Sequence, residues 1–240
     1  MEKRSAATKT KNFLWLRWVT ANAFGEMFGL GLTFAVGVWI ISSFGDQKGV
    51  GMILLSFLVA VASGVIEATL VGLAQHWAMS PWFPTVSRRA WWLGTLVGAL
   101  IAYVLGYLPS TIMSLGEQVS QAQAPMSEPP QWVVLLLAAG LGAVSGAVLS
   151  FAQWLALRGK IKAAGWWIPA NMLAWLFGMP VIFWGIDAAQ KGQPLWQALL
   201  ILAGVLFLAG AVVGAVHGIF LVWVAGQAGS PSASRDGFQS

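Results

Sequence analysis

The chain contains no cysteine. A disulfide framework, a zinc–thiolate centre and a thiolate nucleophile are all excluded with it. Histidine is nearly absent too, with two in 240 residues, so no multi-histidine iron site can form. A haem held between His76 and His217 fails on depth, because the two sit at different levels of their helices. Charge is the third scarcity. Only 9% of residues are Asp, Glu, Lys or Arg, against about 25% in a soluble domain. The Asp-rich pairs of magnesium–diphosphate chemistry are missing, as are the His-Glu-x-x-His, Gly-x-Ser-x-Gly and glycine-rich phosphate-loop motifs. The reading is therefore of a non-catalytic protein with no cofactor and no bound metal.

What is abundant is apolar. Hydrophobic residues make up 58% of the chain, and the mean hydropathy is +0.75. Such a chain cannot build a surface that faces water, so lipid must cover most of it. Six apolar segments run approximately over 13–41, 51–79, 90–115, 132–157, 166–188 and 196–225. Each exceeds the ~20 residues that a helix needs to cross the hydrocarbon layer. None alternates as a transmembrane strand does. The fold class that follows is an all-α integral membrane protein with six transmembrane helices, residues 13–225. It is preceded by a basic tail, 1–12, and followed by a flexible tail, 226–240. The chain has 15 Trp. Trp15, Trp18, Trp91, Trp92, Trp132, Trp166, Trp167 and Trp196 fall near span ends, where an indole can sit at the lipid headgroups.

The charges that do occur give an orientation. Of the 13 Lys and Arg, only Lys48 and Lys191 fall in the loops on the far side from the N-terminus. The positive-inside rule then puts both termini in the cytoplasm of a bacterial inner membrane. The net charge of +5 is accounted for by topology, and no nucleic-acid partner is implied.

Self-similarity organises the spans. Trp18-Val-Thr-Ala-Asn22, Trp92-Leu-Gly-Thr-Leu96 and Trp167-Ile-Pro-Ala-Asn171 open the first, third and fifth. The second, fourth and sixth share a ladder of small residues: Gly64, Ala68, Gly72 and Gln75; Gly142, Gly146, Ser150 and Gln153; Gly210, Gly214, Gly218 and Leu221. The spacing predicts three tandem, parallel helix hairpins in one bundle. Small residues let helix backbones approach closely, so Gly64, Gly72, Gly142, Gly146, Gly210, Gly214 and Gly218 are the expected packing positions. Some ladder faces could instead meet a second membrane protein or another copy of the chain. Gly49, in a loop, is expected to tolerate a larger side chain.

Polar groups at mid-depth are few. Asn22 and Glu26 on the first span, Glu67 and Gln75 on the second, Gln153, Asn171 and His217 form the candidate ligand or ion site. An ionisable residue in hydrocarbon costs several kcal/mol if charged and marks function by default. Two functions follow from these residues: a transport component for a small molecule or ion, with a polar midplane site, or a structural or assembly subunit packed through its glycine ladders. The stretch Trp18-Val-Thr-Ala-Asn-Ala-Phe-Gly-Glu26, with Gln153-Trp-Leu-Ala-Leu-Arg158 and Gly165-Trp-Trp, resembles uncharacterised six-span membrane proteins of cyanobacteria and related bacteria. That resemblance implies no activity.

The orientation is testable by impermeant thiol labelling of single cysteines in intact cells. A cysteine at Glu117 should react, and cysteines at Ser5, Ser87 and Ser234 should be protected. Labelling at Ser5 with protection at Glu117 would reverse the assignment.

Overall fold

The computed structural model describes residues 2–44, 49–120, 129–189 and 192–228. Six long helices account for nearly all of it: α1 Glu2–Phe44, α2 Val50–Met79, α3 Arg88–Ser120, α4 Gln131–Leu157, α5 Trp167–Ala189 and α6 Leu195–Ala228. A single 3-10 turn, Ala164–Trp166, leads into α5. No strand occurs among the described residues. Within the six helices, Lys11–Trp39, Val50–Met79, Arg88–Gly116, Gln131–Leu157, Ala164–Ala189 and Leu195–Gln227 are long and apolar enough to cross a membrane. Helix is the form such runs must take, because it satisfies every backbone N–H and C=O within the segment.

The helix ends next to the two tails differ from the sequence reading. α1 begins at Glu2, so the basic residues before position 13 are helical and continuous with the first apolar run, which is long and apolar enough to cross a membrane from Lys11 on. At the other end α6 continues through Ala228, and 229–240 lie outside the described residues, as do 121–128 in the loop between α3 and α4.

Each helix packs on the next in chain order, and α6 returns to pack on α1. The result is a closed ring of six. Glycine sets its tightest contacts. A Cβ on Gly146 would lie 2.7 Å from the Asn171 carbonyl oxygen, and one on Gly142 would collide with the Trp175 carbonyl. Gly210 and Gly214 receive Asn22 in the same way, at 2.5 Å from its carbonyl oxygen and 2.9 Å from its Cβ. Gly64 faces the Tyr103 ring, Gly72 faces Thr95, and Gly218 faces Trp18 and Trp15. On α3, Gly94 and Gly98 meet the backbone of α4 at Ala152 and Leu149. Where backbones come this close, a methyl group has no room and the helices must separate.

The ends that carry Arg88, Arg89, Arg158, Lys160 and Lys162 form one basic end of the ring. There Arg17 of α1 lies over the Trp77 ring, 3.9 Å from its centroid. It donates to the Trp77 carbonyl at 2.8 Å, one of the carbonyls a helix C-terminus leaves unpaired. The segment between α2 and α3 tucks Phe83 and Val86 into the same core.

Gly49 is a correction to the tolerance expected of it. Nothing crowds it, but its φ is +129°, a conformation that only glycine adopts without strain. The sound control is Gly140, which is helical, exposed and has open space beside it. Gly146→Leu should therefore destabilise the bundle by about 3 kcal/mol or more, while Gly140→Leu on the same helix changes little. Thermal unfolding of the two variants in detergent decides the matter. Equal midpoints would defeat the close-packing argument.

Candidate functional site

All seven polar residues singled out from the sequence are buried. They do not form one site. They divide into two groups at different depths, joined only through the helices that carry them.

The first group surrounds three indoles. Trp18, Trp91 and Trp167, from α1, α3 and α5, are fully buried and meet in the middle of the ring. Their centroid separations are 6.4 Å, 6.0 Å and 5.7 Å, with edge-on or tilted rings. This corrects their assignment to the headgroup region, and it corrects the register, because Trp91 and not Trp92 takes the place matching Trp18 and Trp167. Trp92 is half-buried and donates to Thr69 Oγ1 at 3.2 Å. Each central indole is followed four residues later by a polar side chain that bonds back to its carbonyl: Asn22 Nδ2 to Trp18 O at 2.8 Å, Thr95 Oγ1 to Trp91 O at 3.0 Å, and Asn171 Nδ2 to Trp167 O at 3.0 Å.

A run of amide hydrogen bonds crosses the ring beside these indoles. Trp167 Nε1 donates to Gln153 Oε1 at 2.9 Å. Gln153 Nε2 donates to Thr95 Oγ1 at 2.9 Å and to Gln75 Oε1 at 3.4 Å. Gln75 Nε2 donates to Asn22 Oδ1 at 2.8 Å. His217 stands apart from that run and is taken by an indole: Trp18 Nε1 donates to its Nδ1 at 2.8 Å. The amides and the imidazole are thus occupied by one another and by tryptophan. Buried polar groups satisfied in this way stiffen a core. They do not point into open space. Among the described buried atoms here, Trp91 Nε1 has no acceptor.

The second group lies towards the end of the ring opposite the basic loops. Glu67 is eight residues from Gln75 on α2, about 12 Å along the helix. The Tyr103 hydroxyl of α3 donates to Glu67 Oε2, and the Tyr103 and Tyr107 rings lie 5.9 Å apart. Glu26 of α1 sits next to Glu67, near enough for the two carboxyl groups to interact electrostatically. It is 2% exposed, and its Oε2 is buried without a hydrogen-bond partner. Glycine brings the pair together: a Cβ on Gly29, less than one turn beyond Glu26, would fall 2.9 Å from the Glu67 Cα. Just beyond the carboxyl groups, Thr33 Oγ1 donates to the Ser63 carbonyl at 3.1 Å and ties α1 to α2.

A cavity of about 390 Å³ opens beside Glu67, bounded by side chains of α1 to α5. Its polar lining is Glu67, Tyr103, Tyr107 and Ser145; Phe34, Trp175 and Phe183 contribute aromatic walls, and the remainder is aliphatic apart from Gly106. No lysine or arginine lines it. Of the seven candidate residues, only Glu67 borders this space. Asn22, Gln75, Gln153, Asn171 and His217 are spent on the indole layer, so the single site expected of all seven is divided between a mutually bonded polar layer and a separate cavity beside Glu67. Among the described residues no three His, Cys, Asp or Glu side chains converge as a metal site would require.

Tyr103, Tyr107, Thr95 and Ser145 belong to these two groups and were missed from the sequence. The tyrosines carried a signal. They are the only two in the chain and lie four residues apart, on one face of one helix. Searches of protein-family models, curated proteins and solved structures find no match to the chain.

The polar layer predicts a cost for removing its central amide. Gln153→Leu keeps the volume but strands the Trp167 N–H and the Gln75 oxygen. It should destabilise the protein by about 3 kcal/mol or more, read as a lowered unfolding midpoint in detergent. Thr111→Val, which breaks one bond to the Tyr107 carbonyl in the same helix, is the control and should move it little. An unchanged midpoint for Gln153→Leu would show that the amide run carries no stability.

Proposed function

We propose that the chain is a transport component of a bacterial inner membrane, with both termini in the cytoplasm. In this reading its six helices are three tandem hairpins around an axis along the membrane normal, and the cavity beside Glu67 is its ligand site. The threefold arrangement is supported by the central indoles of α1, α3 and α5, each with its back-bonded polar residue four positions on. The orientation puts the indole and amide layer towards the cytoplasm and the cavity towards the opposite leaflet.

The observation that carries the functional reading is the cavity. The space, about 390 Å³, lies against a buried carboxyl group and is only partly enclosed, so a molecule from outside the bundle can reach that group. A second carboxyl group beside the first, with one oxygen unpartnered, adds a polar demand that nothing in the lining meets. An intramembrane carboxyl group facing a cavity is the arrangement used to hold a proton or a cation. The tight layer of indoles closes the basic end, which fits a site reached from one side at a time. The outward apolar side chains, such as Leu136, Leu137, Leu200 and Ile219, are what lipid contact calls for and do not by themselves ask for a protein partner.

The test is reconstitution. Proteoliposomes loaded with a pH dye are challenged with a panel of alkali cations, small amines and neutral solutes. The parent protein should show a solute-driven change of internal pH, and Glu67→Gln, which keeps shape but cannot exchange a proton, should lose it while remaining folded. A parent that moves nothing, and that no solute stabilises against heat, would leave the structural-subunit reading in its place.

A further inference from the structure

We propose that the cavity beside Glu67 takes an apolar organic cation: a single positive nitrogen carried on an aromatic or branched aliphatic body. The inference rests on the reading of that cavity as a ligand site. Its volume, about 390 Å³, falls within the range of small-molecule pockets, ~300–1,000 Å³. That is far more than a bare ion needs, so the occupant has a body as well as a charge. The body is apolar, because the walls offer few polar groups besides Glu67, Tyr103, Tyr107 and Ser145.

The sign of the charge follows from what the lining supplies and what it lacks. The site holds a carboxyl group and two phenol rings at one corner, and no basic side chain. Behind Glu67 stands a second carboxyl group, Glu26, with a buried and unpartnered oxygen. An anionic ligand would meet two acids and nothing to neutralise it. A cation supplies the opposite charge that the site is short of. The aromatic side chains that line it, Tyr103, Tyr107, Phe34, Phe183 and Trp175, suit an alkylated ammonium, which gives up hydration easily and is attracted to aromatic rings.

Cation and proton then compete for one carboxyl group. The groups facing Glu67 from the helices packed on α2 are Glu26 on α1 and Tyr103 and Tyr107 on α3; none of them is a cation that could answer for its charge. A ligand that binds the carboxylate displaces the proton, so affinity falls as pH falls.

The experiment uses the full chain in lipid nanodiscs and equilibrium dialysis with radiolabelled benzyltrimethylammonium. Its neutral isostere, neopentylbenzene, is measured alongside, and empty nanodiscs give the lipid background. The cation should bind saturably, one per chain, and more weakly at about pH 5 than at about pH 8. Glu67→Gln should weaken it by roughly thirty-fold or more. Ala102→Phe, which fills the cavity without touching the carboxyl groups, should remove it. The isostere should not rise above background. If Glu67→Gln fails to fold, the pH series on the parent still decides, and a pH-independent affinity overturns the proposal. Equal saturable binding of the isostere, indifferent to Glu67→Gln, overturns the cationic class and leaves the cavity a ligand site. Binding of neither compound, with solute-driven pH changes still present in proteoliposomes, also overturns the cationic class alone. Binding of neither, with no such changes, overturns both readings.

Discussion

The contact between α1 and α6 is what turns a row of helices into a ring. The other five contacts join neighbours in the chain, which short connections bring together in any case. The sixth joins the first helix to the last, and no connection enforces it. It forms because Gly210 and Gly214 leave room for the backbone of Asn22, and because Trp15 Nε1 and Trp18 Nε1 reach across to the Ala215 carbonyl and to His217. Without that closure the indoles of α1, α3 and α5 would have no common centre. The amide run from α4 through α2 to α1 would open on one side.

Closure also explains why the two polar groups differ so much. Near the basic end the ring is filled by large side chains, and Asn22, Gln75 and Gln153 there find partners on other helices. Towards the other end the interior is not filled. The helices that form the closure give small or aliphatic side chains to the core at this level, such as Ala209 and Leu206 of α6. The cavity spreads at this level among α1 to α5. A polar group in the packed layer is held by its neighbours and serves stability. A polar group at the edge of unfilled space is available to something that enters. Burial alone does not separate these cases, since Glu67 and Gln153 are both buried.

The helices were readable from the sequence because hydrophobic length is a local property. The second and fourth spans, 51–79 and 132–157, match α2 and α4 to within a residue. A spacing of four is local in the same way and marks one face of one helix. What the sequence could not supply was depth across different helices. Periodicity says that Glu67 and Gln75 share a face, but not which of them meets Asn22 and which meets Tyr103. That depends on how far each helix slides along its neighbour, and the slide is fixed by contacts such as Gly29 on Glu67 and Gly98 on Leu149. The same limit explains the tryptophans. Trp91 and Trp92 are adjacent and equally apolar, and only the rotation of α3 against α2 and α4 decides which one turns to the centre. A Trp near a span end is also ambiguous by nature, because an indole suits a headgroup layer and a tight aromatic core alike.

The run of amides has a direction as well as a composition. An indole nitrogen can only donate, so Trp167 obliges Gln153 to present its oxygen. The nitrogen of Gln153 must then face onward to Gln75 and Thr95. Gln75 is obliged in turn to offer its own nitrogen to Asn22, whose nitrogen ends on the Trp18 carbonyl. Amide groups are nearly symmetric in shape and could otherwise settle either way round. One donor-only ring at the head of the sequence removes that freedom from three side chains on three helices. The layer is therefore polarised across the ring, its dipoles aligned from α5 through α4 and α2 to α1. No amide in it can turn over, alone or with the others, because the flip would set two donors or two acceptors face to face.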